Sequence, residues 1–131
     1  MTKKIELSVI SAESKVFEGE VENVLVPGMI GDFLVLSDHS DCISSIRPGF
    51  LEFSDETSKK QKYFVSGGIV EVTNNMVSVL VDLAIEGDKV GKDDILALIS
   101  EIDNQLSAGD TVNMDDLGLR KNDLEEALKQ V

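Results

Sequence analysis

Hydrophobic residues in the first two thirds of the chain recur at every second position. Ile5, Leu7 and Val9 alternate with Lys4, Glu6 and Ser8, as the two faces of a half-buried strand require. Val16 and Phe17 lead through Gly19 to Val21 and the run Val24-Leu25-Val26, which stops at Pro27-Gly28. Phe33 to Leu36 is a short apolar run followed by polar His39-Ser40-Asp41, and Ile43 and Ile46 precede a second stop at Pro48-Gly49. Phe50 to Phe53 resumes the pattern, Ser54 to Lys60 reads as a polar loop, and Lys62 to Val65 as the returning strand of a hairpin. Gly67-Gly68 separates that strand from Ile69 to Val72. Asn74 and Asn75 both tolerate positive φ, so a tight hairpin turn is expected before Val77 to Val81. Eight or more short strands at roughly ten-residue spacing, with no helical period between them, predict an antiparallel sandwich or barrel.

After Gly87 the period changes. Ile95, Leu98, Ile99, Ile102 and Leu106 form the apolar stripe of an amphipathic helix, and Asp93 and Asp94 suit the positive end of its dipole. Ser107-Ala108-Gly109-Asp110 reads as a breaker. A second, weaker helix is expected behind Asn122 as N-cap, with Glu125 completing a capping box and Leu124, Leu128 and Val131 on one face. Asp115 to Leu119 is ambiguous because Gly118 interrupts it. The expected organisation is a β domain over residues 1–87 and a helical hairpin over 88–131. The hairpin has too few apolar residues to fold alone, since helices this short are marginal in water.

Composition narrows the functional classes. The chain has 131 residues and a net charge of -13, and its pI is near 4.3. Such an acidic chain repels phosphate backbones and anionic headgroups, which argues against binding nucleic acid or a membrane surface directly. Beyond Ile85 the charge is denser, -7 in the last third of the chain against -6 before it. Trp is absent and only five Phe and one Tyr are present, so the core has to be mostly Val, Ile and Leu. One cysteine, Cys42, and one histidine, His39, exclude an internal disulfide and a multi-thiolate metal site. The first residues lack the apolar run of a signal peptide, and no stretch approaches the ~20 apolar residues of a membrane span, so a cytosolic or cytosol-facing protein is expected.

Three segments gather residues that could carry chemistry. In Val26 to Phe33, two glycines three apart suit a turn needing positive φ, and Asp32 is expected at the tip, available to a basic partner. The segment is too short for a phosphate cradle, has no Lys-Ser/Thr after it and opens no helix, which excludes a nucleotide loop. Leu36 to Cys42 places His39 and Cys42 in one polar loop, whereas nucleophile pairs act from separate elements meeting in a pocket. Ser66-Gly67-Gly68 lacks the glycine before the serine that a nucleophile elbow needs, so a bulge or close strand crossing explains it better. No catalytic, cofactor-binding or metal-binding residue is predicted.

Taken in order, Val16-Phe17-Glu18-Gly19, Val26-Pro27-Gly28-x-x-Gly31-Asp32-Phe33, Val35-Leu36-x-x-His39, Pro48-Gly49, Tyr63 to Val72 and Val77 to Asp82-x-Ala84 closely resemble the epsilon-subunit family of F-type ATP synthases. The resemblance runs from about residue 3 to 87. It implies a β-sandwich of about 8–10 strands followed by an α-helical hairpin, in a subunit that catalyses nothing itself. Such a subunit sits at the foot of the central stalk with gamma, rests on the c-ring, and helps couple proton-driven rotation to ATP synthesis in the catalytic head. Its implied place is peripheral, on the cytoplasmic side of the inner membrane, with membrane association only through the complex. Matched residue by residue, Gly28, Met29, Ile30, Gly31, Asp32 and Phe33 form the family's c-ring-facing loop, and Asp32 is expected to pair with basic ring-loop residues. Asp38, His39, Ser40 and Asp41 match a segment near gamma. The rival expectation is a stand-alone β-sandwich adaptor with an acidic helical tail.

Departures from the family pattern carry expectations of their own. Leu34 stands where the family often has glycine, and Ser37 and Asp41 stand where proline is usual. The Ile/Leu-Asp-x-x-Arg-Ala motif, which binds ATP in some members, falls on Val90 to Ile95, where Gly91 replaces the Asp and Asp94 the Arg. A carboxylate in place of a guanidinium repels phosphate, so no ATP binding is expected. From Asp110 onward six acids face only Arg120, Lys121 and Lys129. Insertion of the tail beside an acidic segment of the head would therefore meet like charge, and the tail is expected to inhibit weakly or not at all.

Overall fold

The structure is a computed structural model, and it describes residues 4–55, 57, 59–107 and 114–131. The chain separates into two compact units, Met1–Asp88 and Lys89–Val131. In the first, nine strands follow one another: β1 (Ile5–Ser11), β2 (Lys15–Pro27), β3 (Asp32–Val35), β4 (Cys42–Ile46), β5 (Gly49–Asp55), β6 (Lys60–Val65), β7 (Gly68–Thr73), β8 (Met76–Val81) and β9 (Ala84–Glu86). Hydrogen bonding runs in the order β4-β7-β8-β1-β2-β5-β6-β9, with β3 also on β2.

The long second strand makes this one ladder into a sandwich. Its N-terminal half pairs with β1, from Lys15 to Val21, and its C-terminal half with β5 and β3, from Val21 to Pro27. A register shift between Val21 and Asn23 marks where it bends from one layer into the other. Beyond Pro27 a bridge from Gly28 to Ile46 ties its end to β4, at the far edge of the strand order. The inward side chains of both layers then meet in one cluster: Ile5, Leu7, Val9, Val21, Val24, Leu51, Phe53, Val70, Val77 and Val79 are all essentially inaccessible. The buried residues are mostly aliphatic, as the missing Trp requires; among the aromatics Phe53 lies 4.6 Å from Phe17 and 5.9 Å from Tyr63, and the fully buried Phe64 lies edge-on to Phe50 at 5.7 Å.

One ladder departs from the antiparallel expectation. β1 runs parallel to β8, from Glu6 opposite Met76 to Ser11 opposite Val81. Parallel neighbours need a long connection, and here the whole of β2 to β7 provides it. Two local features agree with the sequence. Asn74 and Asn75 have φ of 48° and 59°, the left-handed pair of a tight hairpin turn. Gly68, at φ 156°, lies against β8 so closely that a Cβ would stand 2.0 Å from the Leu80 carbonyl oxygen. The expected Ser54–Lys60 loop is shorter, because β5 continues to Asp55 and β6 starts at Lys60. Asp55 closes that turn: its carboxylate accepts from the Thr57 hydroxyl at 2.7 Å and from the backbone N–H of Thr57 and Lys59. These bonds, the Thr57 hydroxyl first, hold its pKa below the usual carboxylate value. The short strand β9 has no distinct signature in the sequence; it adds to the sheet through Tyr63, Phe64 and Val65.

The second unit is a pair of helices, α1 (Lys92–Ser107) and α2 (Met114–Leu128). Asp93 and Asp94 occupy the first turn of α1, as expected. The Asp94 carboxylate accepts the Gly91 N–H at 2.9 Å and caps the helix. Ile95 and Ile102 are buried on α1, and Leu124 and Ala127 on α2. The breaker expected at Ser107 to Asp110 lies, beyond Ser107, outside the described residues. The N-cap expected at Asn122 is not one: α2 already begins at Met114, so Asn122 is a mid-helix surface residue and Asp115 to Leu119 is helical. Gly118 has open space around it and costs only helix propensity. An ion pair from Lys121 to Asp103, 2.7 Å long, links α2 to α1, and its hydrogen bond and charge raise the lysine pKa. Among the described residues no helix is long and apolar enough to cross a membrane.

Candidate docking surface

The residues singled out in Val26 to Phe33 form a tight projection between β2 and β3. Pro27 pairs with Asp32 across its base, and the Gly31 N–H donates to the Gly28 carbonyl at 3.2 Å. Both glycines are required, for different reasons. A Cβ on Gly28 would stand 2.8 Å from the Gly31 carbonyl oxygen, whereas Gly31 has free space but φ of 152°. The tip is Met29-Ile30: Ile30 is fully exposed and Met29 is 40% exposed.

Asp32 stands at the base, as the first residue of β3, and not at the tip where it was expected. Arg47, just past β4, reaches across to it. Its Nη2 donates to Asp32 Oδ1 at 2.5 Å, its Nη1 to the Gly28 carbonyl at 3.1 Å, and its backbone N–H to the Pro27 carbonyl at 2.9 Å. Met29 N–H donates to the Ser45 carbonyl at 3.0 Å. The loop is therefore held at both ends by the end of β4. Phe33 packs against the core and lies 6.3 Å from the His39 ring.

The segment Asp38 to Asp41 sits at the other end of β4. Asp38 has φ of 64°, and its N–H donates to Asn75 Oδ1 at 2.5 Å while Asn75 Nδ2 donates to Asp38 Oδ1 at 3.3 Å. That clasp fixes the segment to the β7–β8 turn. His39 is half-buried with its Nδ1 2.7 Å from the Ser40 carbonyl, and Ser40 and Asp41 are exposed. Cys42, which shares this part of the chain, packs against the core. Ser66 Oγ is buried without a hydrogen-bond partner. Among the described residues no three His, Cys, Asp or Glu side chains converge as a metal site.

The same sheet carries a feature that alternation conceals. The outer face of β1, β8 and β7 presents Ile10, Leu80 and Ile69 as directly paired neighbours, with exposures of 37%, 54% and 50%. Ile43 on β4 is 73% exposed on that face, opposite Glu71. The sequence pattern assigns these residues to strands but not to a shared face. Ile10 follows Val9, Leu80 follows Val79 and Ile69 precedes Val70, so each outward residue is as apolar as its inward neighbour and no alternation separates them.

The model of the ATP synthase Delta/Epsilon chain β-sandwich domain matches residues 4–87. The chain belongs to this family. The matched range carries the loop, the clasp and the apolar face, all within the Met1–Asp88 unit of this delta/epsilon chain. Solved structures agree on the fold. A chain of the Euglena gracilis mitochondrial ATP synthase, in an OSCP/F1/c-ring structure, is 18% identical with a TM-score of 0.67, over 98% of this chain and 76% of that one. A chain of the Tetrahymena thermophila mitochondrial ATP synthase central stalk and c-ring is 13% identical with a TM-score of 0.57, over 67% and 70%.

Proposed function

We propose that this chain is the epsilon-type subunit of a central stalk, a non-catalytic part of an F-type ATP synthase that couples c-ring rotation to ATP synthesis. The observation that carries this reading is the double anchoring of the family-matched loop by Arg47, which turns a surface loop into a stiff projection of the sandwich. A coupling part has to transmit torque through its own body, and a close-packed sandwich deforms little. Loop 28–33 would rest on the c-ring. The clasped segment Asp38 to Asp41 and the adjoining apolar face of Ile43, Ile69, Leu80 and Ile10 would meet gamma, since contiguous exposed apolar surface marks an interaction site. The net charge of -13 suits basic surfaces on both partners, and the subunit would lie peripherally on the cytoplasmic side of the inner membrane.

Nucleotide plays no part in this role. The Asp94 carboxylate sits at the N-terminus of α1, bonded to the Gly91 N–H, and sets negative charge where an anion would otherwise bind. Calorimetry is expected to show no heat of binding at micromolar ATP. The reading as a whole is tested by purifying the tagged chain from membranes of its own cells and identifying what accompanies it. Gamma is expected in equal amount; a chain that purifies alone would favour the stand-alone adaptor.

A further inference from the structure

We infer that the open side of β6, from Lys60 to Lys62, is a strand-addition site for an extended partner segment with an acid at every second position. Backbone parity makes the edge. The Asp55 N–H donates to the Lys59 carbonyl at 3.0 Å, so Lys59 and Gln61 bond toward β5, and Lys60 and Lys62 turn their backbone groups to the other side. On that side β9 covers β6 only from Tyr63 to Val65. Its last rung is the Gly87 N–H, which donates to the Lys62 carbonyl at 2.7 Å. Beyond it β6 runs on to Lys60, and a cleft of about 550 Å³ opens beside it. Exposed strand backbone of this kind is a template for one more strand.

Charge chooses the strand. Lys59, Lys60 and Lys62 line the cleft, all three are exposed, and among the described residues none of their ammonium groups forms an ion pair. In a chain of net charge -13 this cluster is a local exception, and it suits an acidic partner. The carboxylates of the cleft are Asp55, Glu86 and Asp88. Asp55 is spent on the Thr57 and Lys59 N–H groups, and the other two lie on the β9 side. A uniformly acidic segment would meet them. A segment with acids at alternate positions turns every one of them to a single face, the face of Lys60 and Lys62, which share a side of β6. Asp55 lies opposite Val21, whereas loop 28–33 begins at the Pro27 end of β2, so a strand added here leaves that loop free. The inference stands beside the central-stalk reading and does not need it.

The test is hydrogen exchange of the full chain, read amide by amide, with a blocked peptide Glu-Val-Glu-Thr-Glu-Val at millimolar concentration and low salt. Exchange at the Lys60 and Lys62 N–H groups is expected to slow roughly fivefold or more, with the amides of β4 unchanged. The fully N-methylated peptide keeps the charge but removes every ladder donor, and should slow exchange less than about twofold. Lys60→Glu should weaken binding roughly fivefold or more and Lys60→Arg should not. Lys60 is exposed, so both variants should melt like the parent chain. Equal effects from the N-methylated peptide, from inorganic phosphate or from phosphatidylglycerol vesicles would overturn strand addition in favour of a plain anion patch. No slowing by the peptide would show that the lysines only guard the edge, which overturns it as well. Either result leaves the recovery of gamma and the c-ring with the tagged chain, and hence the stalk reading, untouched.

Discussion

Replacing Gly68 by alanine is expected to destabilise the β unit more than any other single substitution considered for it. The added Cβ would stand 2.0 Å from the Leu80 carbonyl oxygen and 2.8 Å from the Val81 Cα, both backbone atoms of β8 that cannot rotate away. Moving β8 would break its ladders to β7 and to β1 together. The backbone strain of φ 156° adds roughly 1–3 kcal/mol to that clash. A total of about 4 kcal/mol or more is a large share of the roughly 5–15 kcal/mol that holds such a domain. Gly31→Ala isolates the backbone contribution, because φ is 152° there but nothing lies within 4 Å of the new Cβ. It should cost only about 1–2 kcal/mol. Urea titration of both variants checks this, and a Gly68→Ala protein as stable as Gly31→Ala would contradict it.

Phe53→Ala is the second large effect, and it bears on function as well as folding. Phe53 is 1% exposed and stacks on Tyr63 with its ring also 4.6 Å from Phe17, so it joins β5, β6 and β2 within the core. Truncation leaves a cavity that flanking strands cannot close, at a cost of roughly 3–5 kcal/mol. A fall of roughly 15–25 °C in Tm is expected for a unit of this size. Where the variant still assembles, a softened sandwich should transmit torque less well, giving ATP hydrolysis with reduced proton pumping. Parent-like melting and full coupling would show that the stack is not the stiffening element.

What could be read from the sequence was local. Alternation of Ile5, Leu7 and Val9 places the inward face of β1, Asn74-Asn75 dictates its own turn, and Gly67-Gly68 signals a close approach, because each is decided by neighbours in the chain. The loop at Gly28 to Phe33 is legible for the same reason. Its electrostatics are not, since Arg47 is fifteen residues from Asp32 and no periodicity links them. The bridge from Gly28 to Ile46 and the backbone bonds beside it, contacts between distant strands, bring that guanidinium to the loop. The apolar face of Ile10, Leu80 and Ile69 depends on register across three strands, one of them parallel, which the sequence does not display. Asn122 misleads in the opposite way: a good capping box is overridden by a helix already running from Met114, which carries Leu124 and Ala127 into the buried contact.

The central claim is that a stiff sandwich works by being held between gamma and the c-ring. Its most direct measurement is the composition of the complex recovered through a tag on this chain, made with the rotary enzyme intact in the membrane. Gamma in one-to-one ratio, together with the c-ring, is the predicted result. A chain recovered without either, from membranes whose ATP synthesis stays coupled after it is deleted, would contradict the account.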